Sequence, residues 1–353
     1  MQKHEVYMRR CLELAKLGMG SVSPNPMVGA LLVHDGKIIA EGYHQQYGGP
    51  HAEAWVVDEV LRKYGDAATS IFRNSTMYVS LEPCAHQGKT PSCAKLLAEH
   101  QVGEVVVACR DPFDKVNGQG IAILEAAGIR VTEGVLADES RWLNRRFITR
   151  LSLHRPYVIL KWAQTADGYM APADGSQRWI TGPEAKQLVH RWRSEEDAVL
   201  VGTRTALADN PRLNVREWEG RNPKRVLIDK DLAVDASAHL LDGSVETIIF
   251  NATKTDWVGN TKHIALEHFD WYLPQSILYQ LYLMDVQSVI VEGGRKTLDR
   301  FMEAGLWDEA RVFSSPEAWG EGMAAPAIHV PKSSIQQVGN DELTTYYRNN
   351  HLS

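Results

Sequence analysis

Hydrophobic and polar positions follow two different periods along the first 150 residues of the chain. Apolar residues at helical spacing predict a helix over residues 2–18 that ends at Gly18 and Gly20. Short apolar runs predict strands, and His34-Asp35-Gly36 predicts a hairpin turn between the first two. The predicted strands cover residues 27–33, 37–42, 76–81 and 104–109, and the further predicted helices cover residues 51–64, 92–99, 120–127 and 137–150. Because strand and helix alternate, the pattern predicts an α/β fold.

The same alternation starts again after about residue 150. Thr181-Gly-Pro-Glu184 has the form of a capping box with proline in the first turn, and it predicts a helix that runs to about residue 193. The predicted strands of this half cover residues 157–162, 198–202, 225–229, 247–251 and 288–291. We therefore expect two domains, residues 1–148 and residues 149–353, with the boundary between 145 and 152.

Length and composition are those of an ordinary globular protein. The 353 residues are 44% hydrophobic and 23% charged, which argues against long disorder. The formal net charge of −6 argues against a nucleic-acid or membrane-surface binder, and the acidic excess falls entirely after residue 150. Four cysteines are too few for a disulfide scaffold. With no signal peptide and no apolar run long enough to span a bilayer, the sequence predicts a cytoplasmic enzyme.

The strongest chemical signal is His51-Ala-Glu53 followed by Pro83-Cys84 and Cys93. A zinc ion that activates water needs three protein ligands and one open position, and a histidine with two cysteines is a normal set. Glu53, two residues after His51 on the same helix turn, would accept the proton of the water and deliver it to a leaving amine. The order H-x-E…P-C-x-x-C is typical of zinc nucleobase deaminases, although eight residues separate the two cysteines here.

A structural zinc ion is the alternative, and it would need a fourth protein ligand. His44 and His86 are the available candidates, but Glu53 would then have no role. Cys11, on the first predicted helix, and Cys109, at the end of a strand, are expected in the core.

The string LEPCAHQGKTPSC over residues 81–93 resembles the bifunctional riboflavin-biosynthesis deaminase/reductase family, in which the cysteines are also widely spaced. The resemblance implies a cytidine-deaminase-like three-layer domain with one zinc ion per chain. It also implies that Asn25 helps to hold the substrate, although a lone asparagine between prolines is otherwise a turn former. Ser92 stands where the family usually has proline. Further matches are Pro24-Asn25-Pro26, Gly42-Tyr43-His44 and Asn117-Gly-Gln-Gly120.

The second half lacks a G-x-G-x-x-G fingerprint but has Glu292-Gly293-Gly294 between a strand and a helix. Backbone N–H groups at such a helix start can bind phosphate. Residues 202–211 form a second loop after a strand. Together these strings resemble the dihydrofolate-reductase-like domain of the same family, which uses NADPH. The positions that the resemblance implies for the cofactor are Ala163, Trp179, Thr205, Asp209, Gly294, Arg295, Lys296 and Thr297.

The resemblance also implies a set of substrate contacts in this half. Two arginines among them suit a phosphate group, although Arg193 on a helix can equally form a surface ion pair. The chain departs from the family at Thr165-Ala166, at Gln177 and at Asn210. The implied substrate residues are Lys161, Gln177, Arg193, Leu213, Arg216 and Glu292.

The implied activities are two consecutive steps. A diaminopyrimidinone that carries a ribosylamino 5′-phosphate loses its 2-amino group, and NADPH then reduces the ribosyl group to ribityl, with Lys161 near the ribose. Partners would be this small molecule and further copies of the chain, as a dimer through the reductase domain or a tetramer. Three alternatives stay open: another nucleoside or tRNA deaminase fused to an unrelated domain, a reductase half without turnover, and a non-enzymatic zinc-stapled binding module.

Overall fold

The chain folds as two units, one that runs to Leu153 (unit 1) and one that begins at His154 (unit 2). The computed structural model describes residues 2–85, 92–112, 117–174, 176 and 178–348. Residues 148 and 149, between which the sequence analysis places the domain boundary, lie within the last helix of unit 1.

Unit 1 is built on a mixed sheet with helices on both faces. Its strands, in the order β2-β1-β3-β4-β5, are antiparallel where β1 meets its two neighbours and parallel from β3 to β5. The strands are β1 (Gly29–His34), β2 (Lys37–Tyr43), β3 (Ser75–Val79), β4 (Glu104–Val107) and β5 (Arg130–Glu133). The helices are α1 (Gln2–Lys16), α2 (Ala52–Tyr64), α3 (Ala68–Arg73), α4 (Cys93–Glu99), α5 (Gln119–Ala126), α6 (Ala137–Leu143) and α7 (Arg145–Leu153).

The alternation of side chains along β1 separates the two hydrophobic layers of unit 1. Ala30 and Leu32 pack into the core on the side of α2, α4 and α5. Leu31 and Val33 point the other way and pack with Met8 and Cys11 of α1. Because successive side chains of a strand face opposite sides of the sheet, a run of apolar residues such as this one requires cover on both faces. Unit 1 is therefore a three-layer arrangement, as predicted.

The single helix predicted over residues 137–150 is wrong, because the structure breaks it at Asn144. The buried amide of Asn144 accepts a hydrogen bond from the Met27 N–H (2.8 Å) and donates one to the Met27 carbonyl (2.9 Å). These bonds also hold Met27 outside β1, which begins at Gly29 rather than at residue 27. The break at Asn144 thus coincides with the buried contact between its side chain and the Met27 backbone.

Unit 2 contains a larger sheet in the order β11-β12-β10-β9-β8-β13-β6-β14-β17-β16. Its neighbours are parallel from β12 to β14 and antiparallel at both edges. The strands, with a separate small pair β7–β15, are β6 (Tyr157–Gln164), β7 (Tyr169–Ala171), β8 (Ala198–Gly202), β9 (Lys224–Ile228), β10 (Thr247–Asn251), β11 (Asp256–Val258), β12 (Thr261–Ala265), β13 (Ser288–Val291), β14 (Glu309–Ser314), β15 (Met323–Ala324), β16 (Lys332–Val338) and β17 (Asp341–Tyr347).

Helices cover both faces of this sheet. Helix α8 packs on the face that carries Ile159 and Ile290, and α10 and α11 pack on the opposite face. The helices are α8 (Pro183–Glu195), α9 (Thr203–Asp209), α10 (Leu273–Leu283) and α11 (Arg295–Glu303). Within the described part of the chain, no helix is long and apolar enough to cross a membrane.

Two local predictions for unit 2 are wrong. The N-cap of α8 is Gly182 rather than Thr181, and the Gly182 N–H donates to the Asp341 carboxylate at 2.8 Å. Proline stands at the start of the helix as predicted. The segment after β8, predicted as a loop, forms α9, which ends at Asn210 in the left-handed conformation (φ 39°). Asn210 also accepts a hydrogen bond from the His239 N–H (2.8 Å), a contact that local sequence does not reveal.

Candidate active sites

The three predicted zinc ligands come from the starts of two helices and the loop after β3. His51 is the extended residue that precedes α2, and Cys93 is the first residue of α4. The hydroxyl of Ser92 caps α4 by accepting a hydrogen bond from the Lys95 N–H. Serine is a favoured N-cap because its oxygen satisfies an N–H group that the first turn leaves free. The serine directly before Cys93 is therefore explained by its role as the N-cap of α4.

The ligand atoms lie where a zinc ion needs them. The Nδ1 atom of His51 is 3.6 Å from the Cys84 sulfur and 3.4 Å from the Cys93 sulfur. In a tetrahedral site with bonds of about 2.0–2.1 Å to nitrogen and about 2.3 Å to sulfur, these atoms would be about 3.5 Å apart. Among the described residues, His51, Cys84 and Cys93 are the group with metal-binding geometry. Three protein ligands leave one position for water, which is the arrangement of a catalytic site.

The surroundings of the Cys84 thiol favour its ionised form. A hydrogen bond from Cys93, together with the neighbouring His51, lowers the pKa of Cys84 to about 4. The backbone N–H of Cys93 also donates to the Cys84 sulfur at 3.3 Å. The pKa of Cys93 itself is raised, because it donates its proton to Cys84 and is buried. A bound cation would remove that shared proton, since zinc takes cysteine as thiolate.

Glu53 is buried next to this cluster, and its side chain is in contact with Cys93. Burial raises the pKa of Glu53 to about 7, against the opposing charge of His51. A carboxyl group that titrates near neutral pH can both accept and return a proton. The position of Glu53 therefore suits the proton-carrying role that the sequence predicts for it.

His44 does not serve as a fourth ligand, because both of its ring nitrogens have other partners. Its Nδ1 atom is 2.9 Å from the Pro50 carbonyl oxygen, to which only an N–H can donate. Its Nε2 atom, 3.0 Å from the Asn25 amide nitrogen, is then the acceptor. The His44 ring stands edge-on to that of His51, with ring centres 5.3 Å apart. Sequence reasoning missed this role of His44, although the Gly42-Tyr43-His44 match was a signal. His86, the other candidate ligand, lies outside the described residues.

In unit 2, three predicted substrate residues meet on one face of the sheet. Lys161 of β6 is level with the residue that follows β13, because Leu160 pairs with Val291. That residue is Glu292, and its carboxylate receives two hydrogen bonds from Arg193 of α8, at 2.7 and 2.8 Å. The side chains of the arginine and the glutamate are 11% and 9% exposed. Arg193 thus forms a buried ion pair rather than the surface pair considered above.

Charge is unevenly balanced in this group. Burial by itself would raise the pKa of Glu292, but Arg193 outweighs it and lowers the pKa to about 2. Burial lowers the pKa of Lys161, with the charge of Glu292 acting in the opposite sense. With all three groups ionised, the cluster carries one net positive charge in a low-dielectric setting. Such a cluster favours an anionic ligand.

The end of β8 lies against the turn after β13 and the start of α11, where the sequence predicts cofactor contacts. A side chain at Gly293 would lie 2.6 Å from the Val201 backbone, and one at Gly202 would lie 2.6 Å from the Thr297 hydroxyl. Gly294 has a positive φ of 39° and lies beside the Thr205 hydroxyl. The carboxyl ends of adjacent parallel strands are the usual place for nucleotide phosphates. The glycines therefore allow the end of β8 to approach the turn after β13 at that edge.

Other predicted cofactor residues lie apart or have partners in the protein. The guanidinium of Arg295 binds Asp299 (2.6 Å) and the carbonyl oxygens of Ala324 and Ala325 (2.6 and 3.0 Å). Ala163 is half-buried on β6. Three further predicted contacts are largely exposed: Trp179, Asp209 and Lys296.

The remaining predicted substrate residues lie in the segment after α9. Leu213 is buried with a positive φ of 48°, and Arg216 is exposed. His190 of α8, which sequence reasoning missed, accepts a hydrogen bond from the Arg216 N–H (3.3 Å). Burial and two nearby arginines lower the pKa of His190 to about 4. Its spacing of three from Arg193 on the helix was the available signal. Gln177 lies outside the described residues.

Comparison with known families matches both units. The model of the cytidine and deoxycytidylate deaminase zinc-binding region matches residues 1–109, and that of the RibD C-terminal domain matches residues 156–344. The riboflavin biosynthesis protein RibD of Aquifex aeolicus is 36% identical over 97% of this chain and 98% of its own. The Escherichia coli protein of the same name is 35% identical over 90% of this chain and 88% of its own.

Solved structures match the whole chain as well. The deaminase/reductase from Thermotoga maritima has a TM-score of 0.88 at 37% identity and covers 98% of both chains. RibD from Acinetobacter baumannii has a TM-score of 0.87 at 32% identity and covers 98% of this chain and 99% of its own. These matches confirm the predicted fold class and the zinc site in the first domain. The chain therefore belongs to the RibD family, in which a zinc-binding deaminase domain precedes a RibD C-terminal reductase domain.

Proposed function

We propose that this protein catalyses the two reactions for which the Thermotoga enzyme is named, diaminohydroxyphosphoribosylaminopyrimidine deamination and 5-amino-6-(5-phosphoribosylamino)uracil reduction. The observation that carries the proposal is the His51, Cys84 and Cys93 cluster with Glu53 buried beside it. Residues 1–148 would perform the deamination and residues 149–353 the reduction. A nucleoside or tRNA deaminase is disfavoured, because the second domain belongs to the reductase family as well.

Deamination replaces the 2-amino group of the pyrimidinone by oxygen from water and releases ammonia. His51, Cys84 and Cys93 would hold the zinc ion, which when bound would supply a water molecule activated as a nucleophile near neutral pH. Glu53 accepts the water proton and delivers it to the departing nitrogen, for which its buried position next to Cys93 is suited. Asn25, whose amide is oriented by His44, would bind the substrate.

Reduction saturates C1′ of the ribosyl group, through its open-chain imine, to give the ribityl product. NADPH supplies the hydride for this step. Lys161, whose buried ammonium has a lowered pKa, would orient the opened ribose or protonate it. Arg193 and Arg216 would bind the substrate phosphate, with Leu213, Gln177 and Glu292 lining the same site. The remaining implied residues would contact the cofactor: Ala163, Trp179, Thr205, Asp209, Gly294, Arg295, Lys296 and Thr297.

We place the enzyme in the cytoplasm, where a reducing environment keeps thiols available for zinc, and all four cysteines are free.

We further propose that it forms a homo-oligomer, either a dimer through the reductase domain or a tetramer. Light scattering coupled to gel filtration measures that state directly, and a monomeric mass would contradict it.

The test of the function is mass spectrometry of the products formed from the phosphoribosylated diaminopyrimidinone, with and without NADPH. Deamination without the cofactor, followed by a gain of two hydrogens when NADPH is added, is the expected result. Deamination alone in both samples would indicate a reductase domain without turnover. No reaction in either sample, from protein that contains zinc, would favour a zinc-stapled binding module.

A further inference from the structure

The loop that carries Cys84 is tied to α5 by one buried carboxylate. Glu82, 3% exposed, accepts four backbone hydrogen bonds. One oxygen accepts from Gly120 (2.9 Å) and Ile121 (3.4 Å), and the other accepts from Gly118 (3.0 Å) and Asp111 (3.3 Å). A buried carboxylate that receives only N–H donors at both oxygens is fully engaged by the backbone around it.

These bonds perform the task of an N-cap. The N-cap position of α5 is Gly118, in the left-handed conformation (φ 77°), and glycine has no side chain with which to cap a helix. Glu82 satisfies the free N–H groups of the first turn instead, and its negative charge lies at the positive end of the helix dipole. The capping group therefore comes from the segment that leads into the zinc site.

A second contact holds the same segment. A side chain at Gly120 would place its first carbon 2.0 Å from the Pro83 carbonyl oxygen, so only glycine allows this approach. Pro83 is the residue between Glu82 and Cys84, and its ring fixes one backbone angle. On its other side, Cys84 accepts a hydrogen bond from the Ala94 N–H at its carbonyl (3.2 Å).

We propose that Glu82 is a positioning residue for the zinc-binding sulfur of Cys84, and that residues 117–120 are the partner against which it is held. This inference rests on the proposed zinc-dependent deamination. It gives one physical reason for two separate motifs, residues 81–84 and 117–120, to occur in the same chain. With the carboxylate in place, Cys84 is held near His51 and Cys93 before the metal binds, so little ordering remains for binding to supply.

The test is the zinc affinity of Glu82→Gln, measured by competition with a chromogenic chelator. An amide keeps one acceptor oxygen and turns N–H donors toward two of the four backbone donors. We expect zinc affinity to fall 10- to 100-fold, the usual effect of disturbing the support of a metal ligand. Deamination by E82Q should recover when excess zinc is added, whereas a damaged catalytic group would not respond. Glu82→Asp, which keeps the charge on a shorter arm, should lie between E82Q and the wild type.

Gly120→Ala disturbs the same segment from the other side and leaves the carboxylate intact, so the inference stays testable when E82Q does not fold. Glu104→Gln is the matched control, because Glu104 starts β4 at the opposite end of the sheet and also accepts several hydrogen bonds. Its zinc affinity should equal that of the wild type. Because all of these positions lie in unit 1, a cooperative unfolding transition of unit 1 in urea checks that each variant is folded.

Wild-type zinc affinity in folded E82Q and G120A would overturn the inference and leave the proposed function standing. A loss of affinity in E104Q equal to that in E82Q would also overturn it, because the effect would then follow general destabilisation. Wild-type protein that binds no zinc would overturn the proposed function and, with it, this inference.

Discussion

Arg193 and Glu292 form a two-pronged ion pair, with both N–O distances between 2.7 and 2.8 Å, that joins α8 to the turn after β13. Both side chains are almost fully buried. Burying a charge costs free energy unless the charge stays paired. Removal of one partner is therefore expected to lower the stability of the folded state. The pair also lies close to Lys161, and the charge of Glu292 acts on that lysine. We therefore expect the pair to contribute to the proposed reduction as well as to stability.

Removing either partner should destabilise unit 2, and removing both should restore part of its stability without restoring reduction. Arg193→Met or Glu292→Leu alone leaves a buried unpaired charge, for which we expect a loss of about 3–5 kcal/mol in the free energy of unfolding. The double variant replaces the pair by apolar side chains of similar volume but leaves Lys161 buried without a carboxylate, so only part of that loss should be regained. Urea unfolding measures the stability, and NADPH oxidation measures the reduction. Deamination serves as the internal control.

A double variant that recovered both stability and reductase activity would limit the pair to structural support.

Glu53→Gln should abolish deamination and keep the zinc. Glutamine has nearly the same shape but cannot carry a proton, and loss of a general acid–base group usually lowers the rate by about 10²–10⁴-fold. Zinc content by atomic absorption and the rate of ammonia release check the two halves of this prediction. A variant that still released ammonia at the wild-type rate would exclude Glu53 as the proton carrier.

Removal of zinc should affect unit 1 alone. A chelator is expected to stop deamination and to lower the melting temperature of unit 1, because a metal that binds only the folded state stabilises it. Reduction of the already deaminated substrate should continue, since all of its proposed residues lie in unit 2. Cys84→Ser provides the matched comparison without chelator. Loss of reduction on chelation would contradict this division of labour.

His190 should make the stability of unit 2 depend on pH. Burial, together with Arg193 and Arg216, lowers its pKa from 6.5 to about 4, against the smaller opposite effects of Glu217 and Glu292. The folded state therefore excludes a proton that the unfolded state binds below pH 6.5. The contribution is complete above that pH and is lost as pH falls toward 4, at no more than about 1.4 kcal/mol per pH unit for one proton.

His190→Asn keeps an acceptor for the Arg216 N–H but cannot ionise, so its unfolding should lack this part of the pH dependence. Urea unfolding of the two proteins at several pH values isolates the difference, because the other titrating groups are common to both. Parallel stability curves would show that His190 contributes none of the pH dependence.

His44→Ala should weaken substrate binding in the deaminase and leave the zinc in place. Without the ring, the Asn25 amide loses the acceptor that orients it. We expect KM to rise about tenfold, which corresponds to about 1.4 kcal/mol, the usual net value of one hydrogen bond. His44→Gln, which can still accept, should fall between the alanine variant and the wild type. A fall in zinc content instead would mean that His44 supports the metal.

The zinc cluster could be predicted from sequence because its signals are local. His51 and Glu53 share a helix start, and Cys93 follows a serine cap, so spacing along the chain already carries the geometry. Contacts between distant segments were invisible to the same reasoning. A predicted helix is interrupted at Asn144, whose amide binds Met27, and Glu82 caps a helix that begins 37 positions later.

Sequence reasoning also predicted a cofactor contact for a charged side chain that is already bound by other groups of the protein. Arg295 stands at a helix start where phosphate binding is expected, yet its guanidinium binds one carboxylate and two carbonyl oxygens of the protein.

The edge strand β16 went unpredicted because its residues are exposed on both sides, which removes the alternation that marks a strand. Both misses arise from tertiary context rather than from local preference.

The separation of the two chemistries into units 1 and 2 has a genetic consequence. Every residue proposed for deamination lies before His154, and every residue proposed for reduction lies after Leu153. A lesion such as Glu53→Gln in one allele and Arg193→Met in another would each block a different step. A cell that expressed both defective alleles should grow without added riboflavin, since each polypeptide supplies the activity that the other lacks.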